Sequence, residues 1–283
     1  MISDLNAILA FGLLSALLLF LGWRRGFFKL PIKVWSPEVL LKHLIGAFLI
    51  YFTITFLITG ITVYLFKDEI YKNYLGYSSW FNFIFACLIF ICLALYLKWL
   101  PRDLCRAILR RPCETHPLLE DVYSAFYAWI IAFPLVLFLS QALELILTEV
   151  FKLNLLPDQI AVKFLKSTFE KPLYFTITTL SIIVLAPLIE ETLFRGFFQS
   201  FIRKHLGSKQ AIFITSVCFA FFHYSASQGI GNISIIGSLF VLSLFLGFLY
   251  EKQGSLLAPI TLHALFNSVS VFNLYLFGGF TTL

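Results

Sequence analysis

The chain has 283 residues, of which 60% are hydrophobic and 13% are charged, and its formal net charge is +6. A soluble domain carries about 25% charged residues, and a soluble fold of this size cannot bury so much apolar surface. The composition therefore excludes a soluble enzyme, a disordered chain and a disulfide scaffold, and it indicates an integral membrane protein. Basic residues that flank membrane helices explain the positive charge, so no nucleic-acid partner is expected.

Eight apolar stretches approach the length of about 20 residues that a membrane-spanning helix needs. The sequence therefore predicts an all-α, polytopic helical bundle with about eight transmembrane helices, embedded in the lipid bilayer. The predicted helices cover residues 5–23, 44–66, 80–100, 122–147, 173–193, 209–225, 233–250 and 256–277.

The links between these helices differ in their content of Lys and Arg, which are concentrated on the cytoplasmic side of membrane proteins. The links on one side hold 14 basic residues and those on the other side hold six. The first side, predicted to be cytoplasmic, has Arg24, Arg25, Lys29, Lys33, Lys42, Lys98, Arg102, Arg106, Arg110, Arg111, Arg203, Lys204, Lys209 and Lys252. The second side has Lys67, Lys72, Lys152, Lys163, Lys166 and Lys171, and both termini are predicted to lie there.

The link after the third helix has a pattern with two interpretations. Arg102, Arg106 and Arg110 are spaced four residues apart, so a helix would carry them on one face. Such a helix would lie at the interface with anionic lipid. The alternative is a solvated linker that prolines hold in place.

The first cluster of ionisable residues inside an apolar stretch follows Pro187. Glu191 and Arg195 are four residues apart, in the favourable acid-first order for an ion pair on a helix. Glu190 points about 100° away from Glu191. We therefore expect Glu191 and Arg195 to form a structural pair and Glu190 to offer a free carboxylate to the bundle, near the cytoplasmic end of the fifth helix. Pro187 predicts a bend just before them. The alternative is a charge cluster at a helix end.

Two further polar clusters follow in the last hundred residues. His223 comes four residues after Phe219, at the end of the sixth predicted helix. His263 and Asn267 are four residues apart and therefore share one face of the eighth. A single His is more often a packing residue, and a single Asn more often bonds a neighbouring helix. Because ionisable groups are costly in a membrane, three clusters together favour a function.

This set of side chains is suited to hydrolysis. A carboxylate and an imidazole can deprotonate water, and an imidazole and a carboxamide can stabilise an oxyanion. Glu190, His223 and His263 would also satisfy a three-ligand zinc site with an open position, although no HExxH motif is present. The predicted depths of these residues differ, so they can meet only if the helices are bent, tilted or unequal in length.

Glu190-Glu191-x-x-x-Arg195, Phe219-x-x-x-His223 and His263-x-x-x-Asn267 together resemble the three motifs of the CPBP intramembrane proteases. That family includes type II CAAX prenyl endopeptidases and bacterial bacteriocin-processing or immunity relatives. The resemblance covers roughly residues 173–273. It implies a site within the bundle that is reached from the cytoplasmic side, in a multi-pass protein of a bacterial inner membrane.

The resemblance also implies roles for the motif residues. Glu190 and His223 would activate the attacking water, and His263 and Asn267 would stabilise the oxyanion. Glu191, Arg195 and Phe219 would be supporting residues. The family resemblance leaves open whether such an enzyme is a metalloprotease, with a divalent metal such as zinc, or a glutamate protease.

The sequence thus predicts an endopeptidase that acts on a hydrophobic or lipidated membrane polypeptide. A non-proteolytic immunity or binding protein is the first alternative, and a proton-coupled transporter is the second. Two segments are predicted. Residues 1–172 would hold about four transmembrane helices with basic cytoplasmic linkers, and residues 173–283 would form the protease-like domain.

Overall fold

The computed structural model describes residues 2–30, 39–110, 117–152, 156 and 158–277. These residues are mainly helical, and their only β-type pairing is an isolated bridge between Arg110 and Ser255. The apolar helices are α1 (Ile2–Arg24), α2 (Leu41–Leu65), α3 (Tyr74–Trp99), α4 (Leu118–Phe151), α5 (Pro172–Leu206), α6 (Ser208–Phe221), α7 (Asn232–Gln253) and α8 (Leu257–Phe277). Four short helices lie in the links: Lys67–Lys72, Arg102–Leu109, Ile160–Ser167 and Ala226–Gly231.

Among the described residues, seven helices are long and apolar enough to cross a membrane. The eighth apolar helix, α6, has only 14 residues. At 1.5 Å per residue it is about 21 Å long, which is less than the roughly 30 Å of a bilayer core. The predicted all-α membrane bundle is confirmed, and its eight helices are seven spanning helices and a shorter one.

The links α1–α2, α3–α4, α5–α6 and α7–α8 meet at one end of the bundle, which we call the basic end. The amide of Leu256 donates a hydrogen bond to the Leu109 carbonyl (2.9 Å). The Tyr250 hydroxyl donates to the Ile108 carbonyl (3.2 Å). These bonds connect the end of α7 and the link after it to the link after α3. The other links lie at the end that we call the opposite end.

One of the residues counted as a loop charge is buried. Arg203 is 5% exposed and pairs with the buried Glu251 at 3.0 Å. The basic end therefore has 13 basic residues without Arg203, against six at the opposite end, so the charge asymmetry persists. Lys33 and Arg111 belong to this count but lie outside the described residues.

The link after α3 contains the helix Arg102–Leu109, which confirms a helix there rather than an irregular linker. Arg102 and Arg106 are exposed, whereas Ile108 is fully buried. Ile108 packs against Gly196 so closely that a Cβ on Gly196 would come within 2.9 Å of it. Arg110 is extended and lies beyond the helix, so it does not share the predicted face. Contact of this helix with lipid stays a prediction.

Helix α5 is irregular on both sides of its acidic pair. Wider π turns cover Ser181–Leu185 and Thr192–Gln199, and helices with such turns often carry functional sites. The Ala186 amide donates to the Ser181 carbonyl five residues earlier. In the same register the next donor would be Pro187, which has no N–H. The helix therefore continues through Pro187 with a locally changed hydrogen-bond pattern.

Helices from the two predicted segments pack together. In the N-terminal segment, α4 packs against α1, α7 and α8, while α2 and α3 pack along α5. The apolar core accordingly draws on both segments, with Leu93 and Ile131 from the first and Leu193 and Leu246 from the second all nearly inaccessible. The candidate site in α5, α6 and α8 is therefore supported on two sides by the N-terminal helices.

Candidate active site

Glu190 and His223 form a partly accessible pair. The Nε2 atom of His223 lies 3.8 Å from Oε2 of Glu190, and the side chains are 19% and 21% exposed, respectively. Nδ1 of His223 is 2.8 Å from the Phe219 carbonyl. A carbonyl can only accept, so Nδ1 carries the hydrogen. In the neutral ring, the basic nitrogen Nε2 therefore faces the carboxylate. Oε2 of Glu190 has no hydrogen-bond partner among the described residues.

Glu191 and His263 form a second pair, which is buried. Oε1 of Glu191 accepts from Nδ1 of His263 at 2.9 Å and from Nη1 of Arg195 at 3.0 Å. Nη2 of Arg195 donates to the hydroxyl of Ser243 at 2.6 Å and to its carbonyl at 3.2 Å. Glu191 and Arg195 are fully buried and His263 is 6% exposed. The predicted ion pair between Glu191 and Arg195 is confirmed, and His263 is its third member.

Phe219 lies between the two pairs. Its ring is 4.9 Å from the His223 ring and 6.0 Å from the His263 ring, measured between centroids. The Arg195 guanidinium carbon lies 4.6 Å from the same ring centroid. Phe219 is fully buried. Its ring therefore contacts both imidazoles and the guanidinium, which fixes the spacing between the pairs.

Asn267 bonds to the backbone of α5. Its Nδ2 donates to the Ile182 carbonyl at 2.7 Å. Ile182 lies five residues before Pro187. In a π turn its carbonyl would accept a hydrogen bond from the backbone N–H of residue 187, but proline has no N–H, so the carbonyl lacks that donor. Neighbouring helices commonly satisfy such freed backbone groups in membranes. One of the two Asn267 N–H groups is thus engaged, and the other stays available.

A cavity of about 940 Å³ lies beside the first pair, and His223 lines it. Ile182, whose carbonyl binds Asn267, also lines it. Other walls come from α2, α3, Gln159 and the short helix Ile160–Ser167 that follows it. The residues concerned are Thr59, Val63, Tyr74, Ser78, Phe81, Asn82, Phe85, Gln159, Ile160, Ala161, Lys163, Phe164 and Ser167.

Unequal helix lengths resolve the difference in predicted depth between Glu190 and His223. Helix α5 has 35 residues rather than the 21 predicted, so Glu190 lies near its middle and not at its end. Helix α6 ends at Phe221, well short of the opposite surface. Glu190 precedes the end of α5 by 16 residues, and His223 follows the start of α6 by 15. Both distances correspond to about 22–24 Å of helix, so the two residues lie at the same level.

The predicted zinc ligands do not assemble. Among the described residues, no three His, Cys, Asp or Glu side chains form a group that could hold a metal ion. Glu190 and His223 approach each other, but Nδ1 of His263 is bonded to Glu191 instead. The three side chains therefore do not fit a three-ligand zinc site in this arrangement.

Two side chains near the site were not identified from the sequence. Ser243 holds the second nitrogen of Arg195, but nothing distinguishes it from the other serines of α7. Tyr51 of α2 packs against Phe222, with ring centroids 5.5 Å apart, and lies within electrostatic range of Glu190. Tyr51 carries no motif, and only the packing of α2 on α5 brings it near.

Comparison with known families matches residues 172–269 to the family described as Type II CAAX prenyl endopeptidase Rce1-like. This segment includes all seven motif residues: Glu190, Glu191, Arg195, Phe219, His223, His263 and Asn267. Comparisons with curated proteins and with solved structures found no match. The resemblance inferred from the three motifs is thereby confirmed for residues 172–269 of this multi-pass membrane protein, which are similar to the Rce1-like, CAAX-protease-type family.

Proposed function

We propose that the protein is an intramembrane endopeptidase that hydrolyses a peptide bond in a hydrophobic or lipidated membrane polypeptide. The observation that carries this proposal is the Glu190–His223 pair, in which two proton acceptors face each other beside a large cavity. The match to the Rce1-like family supports the reaction class. We expect the protein to reside in a bacterial inner membrane.

Water is the proposed nucleophile. A water molecule near Oε2 of Glu190 and Nε2 of His223 loses a proton to one of them as its oxygen bonds to the peptide carbonyl carbon. The C–N bond then breaks, and the proton passes to the leaving amine. Positioned acid–base groups of this kind accelerate a reaction by about 10²–10⁴-fold.

His263 and Asn267 are proposed to stabilise the oxyanion. With Nδ1 bonded to Glu191, His263 can donate from Nε2 only as an imidazolium. Asn267 would contribute the N–H that is not bonded to Ile182. Glu191 and Arg195 are then positioning residues.

The test is cleavage of a fluorescent, membrane-anchored hydrophobic peptide by purified protein in liposomes. We expect turnover by the wild type and by Glu170→Gln, a control carboxylate that is exposed and lies just before α5. Glu190→Gln is expected to abolish turnover because the pair then lacks the carboxylate that activates the water together with His223. Turnover that persists in Glu190→Gln would contradict the mechanism.

Two additions to this assay separate the alternatives. A chelator arm, with the metal content of the purified protein measured in parallel, tests for a metalloprotease, since loss of turnover on chelation would indicate one. If Glu190→Gln also preserves the cellular phenotype of the protein, the immunity or binding alternative is favoured, because an amide keeps the shape of the carboxyl group.

A further inference from the structure

A second groove lies at the basic end of the bundle and shares no lining residue with the larger cavity. Its volume is about 390 Å³, and eight of the described residues line it. Seven of these are apolar, and the eighth is a lysine. The link after α1 supplies Phe28, the first turns of α6 supply Lys209 and Phe213, and the last turns of α7 supply Leu244 and Phe248.

The groove extends from the helix ends into the apolar layer of the bundle. Helix α7 has 22 residues and is about 33 Å long, close to the roughly 30 Å of a bilayer core, so its end lies near the lipid headgroups. Leu244 precedes the last residue of α7 by nine residues, or about 14 Å, and therefore lies at the depth of the acyl chains. Lys209 is the second residue of α6 and lies at the headgroup end of the groove.

The aromatic wall of the groove is held in place by contacts within the protein. The Phe28 ring lies 6.3 Å from that of Phe245 and 5.9 Å from that of Phe248, measured between centroids. Nζ of Lys252 lies 4.4 Å from the Phe27 ring centroid and donates a hydrogen bond to the Phe27 carbonyl. These contacts tie the link after α1 to α7. The groove is therefore preformed, as binding sites for small molecules usually are.

The groove carries a positive charge at its headgroup end. Lys209 is exposed and makes no ion pair with any described residue, and none of the described lining residues is acidic. Lysine side chains at this level keep their ammonium groups at the membrane surface, where they attract anionic lipids. An anionic headgroup complements Lys209, and an acyl chain complements the apolar interior.

We propose that this groove binds one anionic phospholipid, with an acyl chain between α6 and α7 and the phosphate at Lys209. A partner protein or a second copy of the chain fits the groove less well, because a stable protein interface takes about 20–30 residues a side. A zwitterionic phospholipid would bring its own cation close to Lys209, so the groove favours a headgroup with net negative charge. The lipid site is independent of the proposed protease function.

The test compares phosphatidylglycerol with phosphatidylcholine of the same acyl chains, by native mass spectrometry of the full chain in detergent. We expect the wild type to retain phosphatidylglycerol preferentially. Lys209→Gln should bind it about fivefold more weakly, because one attraction between a lysine and an anionic headgroup is lost. Lys98→Gln, which changes an exposed lysine in the last turn of α3 at the same end, is the matched control and should bind it as the wild type does. Equal retention of the two lipids by the wild type, or an unchanged affinity in Lys209→Gln, would overturn the proposal.

A second variant tests the apolar part of the groove. Leu244→Trp fills the interior with a larger side chain and should reduce the retention of phosphatidylglycerol. Ile233→Trp, on the exposed surface of the same helix and outside the groove, should not. If Leu244→Trp retains the lipid as the wild type does, or changes the number of chains in the complex instead of its lipid content, the groove is not the acyl-chain site. Lys209→Gln alters only an exposed side chain, so it tests the proposal even if Leu244→Trp does not fold.

Discussion

Two carboxylate–imidazole pairs lie side by side in this bundle, and they differ in almost every physical respect. Glu190 and His223 are about one-fifth exposed, 3.8 Å apart and next to a cavity. Glu191 and His263 are buried, 2.9 Å apart, and joined by Arg195. We call Glu190–His223 the open pair and Glu191–His263 the closed pair. The open pair is accessible enough to exchange protons with water, whereas several charge-assisted hydrogen bonds hold the closed pair.

The difference arises from consecutive residues. Glu190 and Glu191 point about 100° apart on one helix, so Glu190 faces His223, which follows α6, while Glu191 faces His263 of α8. Phe219 fills the space between the pairs and contacts both imidazoles. One helical turn therefore supplies a partly exposed carboxylate and a buried one, and each can be perturbed separately.

The largest effect on activity should come from substitutions that break the open pair. We expect His223→Ala to lower kcat for peptide cleavage by about 10²–10⁴-fold with unchanged thermal stability, because the positioned base is lost. Groups that act as one unit have non-additive effects. The double variant Glu190→Ala/His223→Ala should therefore be little slower than either single variant. Multiplied losses in the double variant would show that the two residues act independently.

Substitutions that break the closed pair should instead lower the free energy of unfolding. Glu191→Gln leaves the buried Arg195 guanidinium without its carboxylate, which costs about 3–5 kcal/mol. Thermal unfolding in detergent micelles would measure this loss. The control is Asp158→Asn, which breaks the exposed Lys166–Asp158 pair of similar length, 2.8 Å, and should cost no more than about 1 kcal/mol.

Adding Arg195→Met to Glu191→Gln sharpens this result. Because both charges are then removed from the interior, we expect part of the lost stability to return. If Glu191→Gln alone unfolds at the same temperature as the wild type, the closed pair is not a stabilising element. If it also keeps full cleavage activity, Glu191 does not position His263.

Much of this comparison could be predicted from spacing within single helices. The four-residue interval predicts the Glu191–Arg195 pair, and the 100° offset predicts a separate role for Glu190. The bond from His263 to Glu191 was not predictable, because it depends on the rotation of α8 against α5. Helix ends were also misplaced. The polar residues after position 193 suggested that α5 ends there, but burial of Arg195, Gln199 and Arg203 extends it to Leu206.

Substitution of Phe219, which lies between the pairs, should have an intermediate effect on stability. Phe219→Leu keeps an apolar side chain but removes the ring that faces Arg195 at 4.6 Å, and a desolvated contact of this kind is worth about 2 kcal/mol. Unfolding should show this loss, and cleavage should also slow because both imidazoles lose a neighbour. Phe221→Leu, 60% exposed on the same helix, is the matched control and should change stability by less than about 0.5 kcal/mol. Equal effects of both substitutions would contradict a linking role for Phe219.

The smallest effect on stability should come from substitution of Asn267, which bonds to the backbone of α5. Asn267→Ala leaves the Ile182 carbonyl without its donor, and hydrogen bonds between membrane helices are worth about 0.6–1.7 kcal/mol. Ser268→Ala, whose hydroxyl donates to the Ala264 carbonyl of its own helix, is the control and should cost less.

A double-mutant cycle of Asn267 and Pro187 tests whether the bond from Asn267 to the Ile182 carbonyl compensates for the missing proline N–H. Pro187→Ala restores an N–H in register with the Ile182 carbonyl, so the carbonyl no longer depends on Asn267. Asn267→Ala should therefore cost less stability in the Pro187→Ala background than in the wild type, which a cycle of four unfolding measurements reveals as a coupling energy. Equal costs in both backgrounds would mean that Asn267 does not compensate for the proline. Since cleavage is measured on the same four proteins, a loss of activity that persists after stability is restored would assign the second Asn267 N–H to the oxyanion.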